Sequence, residues 1–396
     1  MSLTSGRWAT LAAVAVTLAA LHATNPDVGV FYGEWESFVN VQTAKFPFAW
    51  APDPYYGYRL LPPLLVWLLP LPPPLGFLLV DYASLAGAAF LLAEILVAER
   101  VGRGLATLAA VLFLTFPCST KWLVAYSAGP DAFYVLLIAA AYHALQRERW
   151  GLAAILILLG TFTKPLMLLL ALVAACRMAH GAGPARARLR GAAAGLALAV
   201  PALLAFALVR LLWPPAPSGF LGVPLTTAIF ENVRLKLTAT STMLPGIVPQ
   251  WVELPMAFSI VFGMVALILL AHARESLRML RARPDMLVFL LGTEAAAFLV
   301  SYDLERCQLY AVIPVLYVFA RVIQANASFY ARPGIAVALV AVQAGFSELA
   351  LRPADFARYM SHYMSPRVAG AYLAAWLAAG IALATLRSLV PRRAPA

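Results

Sequence analysis

The sequence predicts an all-α polytopic membrane protein with about 12 transmembrane helices. Of its 396 residues, 63 % are apolar and only 12 % are charged. A soluble domain carries about 25 % charged residues, so this composition is typical of a membrane protein. Each crossing needs roughly 20 apolar residues, so the apolar runs fill most of the chain. We therefore expect a single transmembrane domain over residues 1–396, with no room for a separate soluble domain.

The elements follow in order along the chain. Residues 8–24 predict an uncleaved first helix. A first outer loop at 25–74 contains the apolar run 59–71, which is too short to cross and is bracketed by prolines, so we expect it to lie along the membrane interface. A second large outer loop is expected at 214–252. The remaining crossings are predicted at 75–98, 105–117, 131–145, 151–163, 166–178, 192–213, 254–273, 286–301, 309–323, 334–350 and 368–386.

The distribution of charge predicts the orientation. The net charge is +11. Most arginines fall in loops predicted on the same side of the membrane as the two termini, whereas most acids fall in loops on the opposite side. By the positive-inside rule both termini are cytoplasmic. The positive-inside rule thus explains the positive net charge, which therefore does not indicate nucleic-acid binding. It places the functional loops on the outer face of a bacterial-type cytoplasmic membrane, and the three scattered cysteines indicate neither a disulfide framework nor a zinc site.

The first outer loop carries a cluster of carboxylates. Asp27, Glu34 and Glu36 lie directly after the first helix, where a carboxylate tuned by its neighbours can act as a general base. The alternative is a solvated loop that only balances charge.

Cations and tyrosines of the outer side form a second set of candidates. Arg59 follows Tyr56 and Tyr58; arginine binds phosphate bidentately and tyrosine can stack on a sugar, although an aromatic belt with a snorkelling arginine explains the pattern equally well. Lys164 lies between two apolar runs, where it needs an anionic partner. A lipid phosphate and the carboxylate of Asp131 are both open as that partner.

Other charged residues have a structural alternative. Asp303 and Arg306 are three positions apart, so on a helix they share a face and could neutralise each other. Glu94 and Glu294 lie inside apolar runs, and we expect them to pack against a buried arginine such as Arg210. No histidine pattern indicates a metal site.

The order of short motifs over residues 8–320 resembles the GT-C class of integral-membrane glycosyltransferases. The run that begins at Arg59, Arg-Leu-Leu-Pro-Pro-Leu, is similar to the interfacial helix of that class. Asp27-Val-Gly-Val-Phe-Tyr is similar to the aspartate element of bacterial polyprenyl-phosphate-mannose-dependent mannosyltransferases. The motifs that resemble GPI second-mannosyltransferase-like proteins are Trp35-Glu36-Ser37, Pro117, Tyr126-Ser127, Leu145 to Ala154 and Thr163-Lys164-Pro165.

The resemblance implies an inverting, single-displacement transfer of a mannose-like sugar from a polyprenyl phosphate to a lipid, glycan or protein acceptor. Glu36, which replaces the aspartate of the family pattern, is the expected base, with Asp27 and Glu34 as competitors. The expected phosphate-binding residues are Arg59, Lys164, Arg306 and Lys121, and the expected sugar or lipid contacts are Tyr56, Tyr58, Asp303 and Asp131.

No cofactor is implied beyond the lipid-linked donor, and the need for a divalent cation stays open. Two other interpretations remain at this point. The chain could be a flippase or transporter of a lipid-linked or anionic substrate, or it could be a non-catalytic assembly subunit.

Overall fold

The computed structural model describes residues 5–24, 35–47, 59–125, 127–180, 183–212, 253–300, 304–330, 332–350 and 366–389, together with residues 230, 233–234 and 237–238. Every regular element in these ranges is a helix. The helices are α1 Ser5–Thr24, α2 Trp35–Lys45, α3 Leu61–Trp67, α4 Pro73–Ala98, α5 Arg103–Leu114, α6 Thr120–Ala125, α7 Asp131–Gln146, α8 Trp150–Thr161, a 3-10 turn Pro165–Leu168, α9 Leu169–His180, α10 Ala185–Ala197, α11 Val200–Leu212, α12 Glu253–Ala271, α13 Ala273–Arg281, α14 Pro284–Val300, α15 Leu304–Leu309, α16 Val312–Ala325, α17 Ala327–Tyr330, α18 Pro333–Ala350 and α19 Pro366–Leu389.

The helical character and the membrane character of the chain are confirmed, but the expected count of about twelve crossings is wrong for the described residues. Four segments there are long and apolar enough to cross a membrane, namely Ser5–Thr24, Pro73–Ala98, Ala185–Leu212 and Leu254–Ala271. Six other apolar helices have only 10–17 residues, fewer than the roughly 20 that a crossing needs. Turns shorten them, as the turn at Thr163–Lys164 does between α8 and the 3-10 helix.

Helices α4 and α7 form the centre of the bundle. Helix α4 begins with prolines in its first turn, where the missing N–H costs nothing. Small residues such as Ala88 and Ala89, both fully buried, let the neighbouring helices approach closely. Gly87 faces the Leu136 side chain of α7, and a Cβ there would come within 2.9 Å of it.

Charged groups tie the helices together at the end of the bundle that holds the α4 C-terminus. Glu94 accepts hydrogen bonds from Arg7 of α1 and from Arg103 of α5. The expected arginine partner of Glu94 is therefore confirmed, but it is not Arg210, which is exposed and lies over the Phe206 ring.

A second network lies at the same end. Arg283 bonds to Glu99 just after α4 and to Asp285 in α14, and Tyr142 of α7 donates to Asp285. Gln146, the last residue of α7, donates to Glu99 over 2.9 Å. The C-terminal ends of α4 and α7 are thus both fixed by polar contacts. Glu294 also departs from the expected arginine partner, since the Gln308 amide donates to it over 3.0 Å.

Helix α12 contains a kink that two other helices hold. Gly263 has φ +47° and ψ −117°, a conformation that side chains with a Cβ rarely adopt. The Met264 N–H donates to the Gln343 side chain of α18 over 2.8 Å, and the Trp376 indole of α19 donates to the Gly263 carbonyl over 3.1 Å. The backbone groups freed by the kink are therefore bonded by side chains.

Candidate functional site

The candidate site is built around Asp131, the first residue of α7. Its side chain is 1 % exposed, and its carboxylate lies 2.5 Å from the Lys164 Nζ and 3.3 Å from the Arg306 Nη1. Tyr310 donates a third hydrogen bond to it. The positive end of the α7 dipole also favours a carboxylate at this position. We call these four residues the Asp131 cluster.

The backbone around Lys164 aims its side chain into the cluster. Lys164 is extended, with φ −152° and ψ 130°, as expected for a residue that precedes a proline. Its backbone N–H ends α8 by donating to the Gly160 carbonyl over 2.7 Å. Its Nζ donates to the Tyr310 hydroxyl over 2.7 Å and lies 5.3 Å from the centre of that ring. Three contacts therefore fix the buried ammonium, namely the Asp131 carboxylate, the Tyr310 hydroxyl and the Tyr310 ring.

Lys164 lies in a turn, outside the membrane-spanning segments. Burial lowers the pKa of its ammonium to about 8, against the opposing attraction of Asp131. The lysine therefore carries its charge at neutral pH and loses it under mildly alkaline conditions.

Arg59 adds a further positive charge beside the cluster. It lies at the start of α3, where the Leu61 N–H donates to the Phe162 carbonyl over 3.3 Å. This bond places the start of α3 beside the turn that holds Lys164, and the charges of Arg59 and Lys164 repel each other. Three cations thus converge at one end of the bundle, and the carboxylate of Asp131 bonds two of them.

A second buried carboxylate lies next to this cluster. Asp81 is 2 % exposed on α4. Gly87 of α4 faces Leu136 of α7, and Gln146 of α7 donates to the Ile95 carbonyl of α4, so the two helices run side by side in the same direction and Asp81 lies near the level of Asp131. Phe77, one helical turn earlier, belongs to the same buried apolar cluster as Ala128 in the turn that precedes α7. Residues four apart share a helix face, so Asp81 faces the same region. Its Oδ2 has no hydrogen-bond partner within the part of the chain that the structure describes.

Small polar groups surround this region. Asn40 of α2 donates to the Ala128 carbonyl over 2.6 Å and so ties α2 to the turn before α7. The hydroxyls of Ser37, in α2, and of Ser127, beside Ala128, are buried and bond to none of the described residues. The turn before α7 therefore carries polar groups that the described protein leaves without partners.

The structure brings together four of the residues singled out from the sequence. Lys164, Arg306 and Asp131 contact one another, and Arg59 lies beside them. Of the two partners left open for Lys164, the structure shows the carboxylate of Asp131. Asp131 itself, expected to contact sugar or lipid, has both oxygens engaged by the cluster.

The other predicted residues stay predictions. Glu36 lies in α2 and Lys121 in α6, but their side chains are outside the described part of the structure. Asp27, Glu34, Tyr56, Tyr58 and Asp303 lie outside the described residues altogether.

Sequence reasoning missed Asp81 as a site residue. An ionisable side chain inside an apolar run is by itself a signal of function, and residues 75–98 contain such a carboxylate in their first half. The sequence does not reveal that α4 packs beside the start of α7. Within the described ranges no group of three or more histidine, cysteine or acidic side chains is placed to hold a metal ion.

Comparison with known proteins adds no family. No protein-family model matches the chain, and no curated protein matches it.

Proposed function

We propose that the chain is a GT-C type glycosyltransferase that moves a mannose-like sugar from a polyprenyl phosphate to a lipid, glycan or protein acceptor. The observation that carries the proposal is the convergence of Lys164, Arg306 and Arg59 at one end of the bundle. Two of these cations bond to the buried carboxylate of Asp131, which holds them at one place. A phosphate that leaves during sugar transfer needs fixed cations of this kind.

In the proposed reaction a carboxylate removes the proton from the acceptor hydroxyl. The acceptor oxygen then bonds to the anomeric carbon of the sugar, and the bond from that carbon to the phosphate oxygen breaks. The electron pair stays on the phosphate, where Lys164 and Arg306 stabilise the new charge. Glu36 is the proposed base, with Asp27 and Glu34 as alternatives.

The proposed setting is a bacterial-type cytoplasmic membrane with both termini in the cytoplasm. The position of the other charged networks supports this orientation. Asp131 begins α7, whereas Gln146 at its other end bonds to Glu99, and the two charged regions therefore lie at opposite ends of the same helix. The arginine-rich end would face the cytoplasm, and the Asp131 cluster would face outward.

Turnover of a labelled donor tests this proposal. Purified protein in lipid is incubated with radiolabelled polyprenyl-phosphate-mannose or polyprenyl-phosphate-glucose, and loss of the lipid-linked sugar is measured with and without acceptor. We expect loss in the wild type, none in Lys164→Met, and none in one of Glu36→Gln and Asp27→Asn. Tight binding of the donors without any loss would contradict a transferase and favour a carrier of lipid-linked sugars.

A further inference from the structure

We infer that Asp81 and the turn before α7 bind the hydroxyl groups of the sugar whose phosphate the Asp131 cluster holds. The inference rests on the proposed donor, a lipid phosphate that carries a sugar. It adds a second half to the site, on the α4 side of Asp131.

The first argument is the state of the two neighbouring carboxylates. Asp131 is bonded by Lys164, Arg306 and Tyr310. Asp81 is just as buried, yet its Oδ2 bonds to none of the described residues. A buried polar atom without a partner costs free energy. The described protein contacts do not offset this cost for Asp81, which indicates that a ligand supplies the missing hydrogen bond.

The second argument concerns the kind of ligand. The free carboxyl oxygen of Asp81 can accept a hydrogen bond. The buried hydroxyl of Ser127, in the turn before α7, can both donate and accept one. The donor proposed above carries such groups, since its sugar ring bears several hydroxyls. A neutral group with several hydroxyls satisfies the carboxyl and the serine without bringing positive charge.

The third argument is position. The contacts of Gly87 with Leu136 and of Ile95 with Gln146 set α4 and α7 side by side in the same direction, so Asp81 lies near the level of Asp131. Asp131 contacts the two cations directly. A ligand whose phosphate meets Lys164 and Arg306 therefore has its next group within reach of Asp81. In a sugar phosphate that next group is the ring with its hydroxyls.

Binding of two matched ligands tests the inference without requiring turnover. The probes are a short-chain polyprenyl phosphate and the same lipid carrying mannose, each titrated into the full-length protein in lipid nanodiscs. In the wild type we expect the sugar to strengthen binding. In Asp81→Leu we expect the mannose-bearing lipid to bind about ten- to a hundredfold more weakly, while the bare lipid phosphate binds as before.

Two further variants make the contrast specific. Asp81→Asn keeps the shape and one acceptor oxygen, so a smaller loss confined to the mannose-bearing lipid is expected, and this variant decides the matter if Asp81→Leu does not fold. Thr10→Ala removes a buried hydroxyl from α1, at the end of the bundle where Arg7 bonds to Glu94, and should leave both affinities unchanged. Lys164→Met should weaken both ligands equally.

The outcomes separate the inference from the proposed function. Equal losses for both lipids in the Asp81 variants, or no loss for either, would overturn the role of Asp81 alone. If the wild type bound neither lipid, the proposed donor would be wrong and the inference would fall with it.

Discussion

Neutralising Asp131 should destabilise the protein strongly, because two cations depend on it. In Asp131→Asn the shape is kept, but Lys164 and Arg306, whose side chains are each 11 % exposed, lose their charged partner. Breaking a buried ion pair in this way costs about 3–5 kcal/mol. We expect a loss of free energy of unfolding within that range.

The assay is reversible unfolding in mixed micelles, followed by tryptophan fluorescence. Glu148→Gln is the matched control, since it removes the same charge from an exposed position just beyond the other end of α7 and should change stability by no more than about 0.5 kcal/mol. The double variant Asp131→Asn with Lys164→Met should recover at least about 1 kcal/mol relative to the sum of the single variants. Equal effects of Asp131→Asn and Glu148→Gln, or strict additivity in the double variant, would refute the pairing.

Three further predictions follow from other contacts. Asp285→Asn weakens the bonds that Asp285 makes with Arg283 and Tyr142 at the opposite end of the bundle. Because these groups are partly exposed to solvent, we expect a cost of about 1–3 kcal/mol in the same unfolding assay. Gly263→Ala should cost about 1–3 kcal/mol from backbone strain, and more from the Gln343 side chain that lies 2.7 Å from the added Cβ. Gln343→Ala in that background relieves the clash but loses the bond to the Met264 N–H, so we expect it to leave the strain cost in place and not to restore wild-type stability. Binding of polyprenyl phosphate should weaken as pH rises through about 8, where Lys164 loses its proton, and Lys164→Arg should bind without that loss up to about pH 10 because arginine stays charged.

The positions of the helices could be predicted closely from hydrophobic runs and prolines. The run predicted at 131–145 is the helix Asp131–Gln146, and the run at 75–98 is Pro73–Ala98. The number of crossings could not be predicted, since an apolar run does not reveal where a turn interrupts it. The turn at Thr163–Lys164 ends α8 after 12 residues, a length that composition alone does not set.

The candidate site was predictable in its residue types but not in its pairing. An isolated lysine between apolar runs requires an anion, and this identified Lys164. Which anion it meets depends on a contact between α7 and the turn after α8, and the sequence left Asp131 and a lipid phosphate equally open. Asp81 was missed for the same reason, because its neighbours come from α7 and not from its own helix.

The length of α7 bears on the thickness of the membrane around the protein. Its 16 residues span about 24 Å, less than the roughly 30 Å of a typical hydrocarbon layer, and each end is fixed by charged or polar groups. In the orientation proposed above, and with the Gln146 end of α7 held at the membrane surface, the Asp131 cluster would lie several ångströms below the level of the outer headgroups. A lipid-linked phosphate would then reach Lys164 most easily where the bilayer is locally thin. The acyl-chain length of the surrounding lipids therefore becomes a determinant of access, since mismatch costs a fraction of a kcal/mol per ångström.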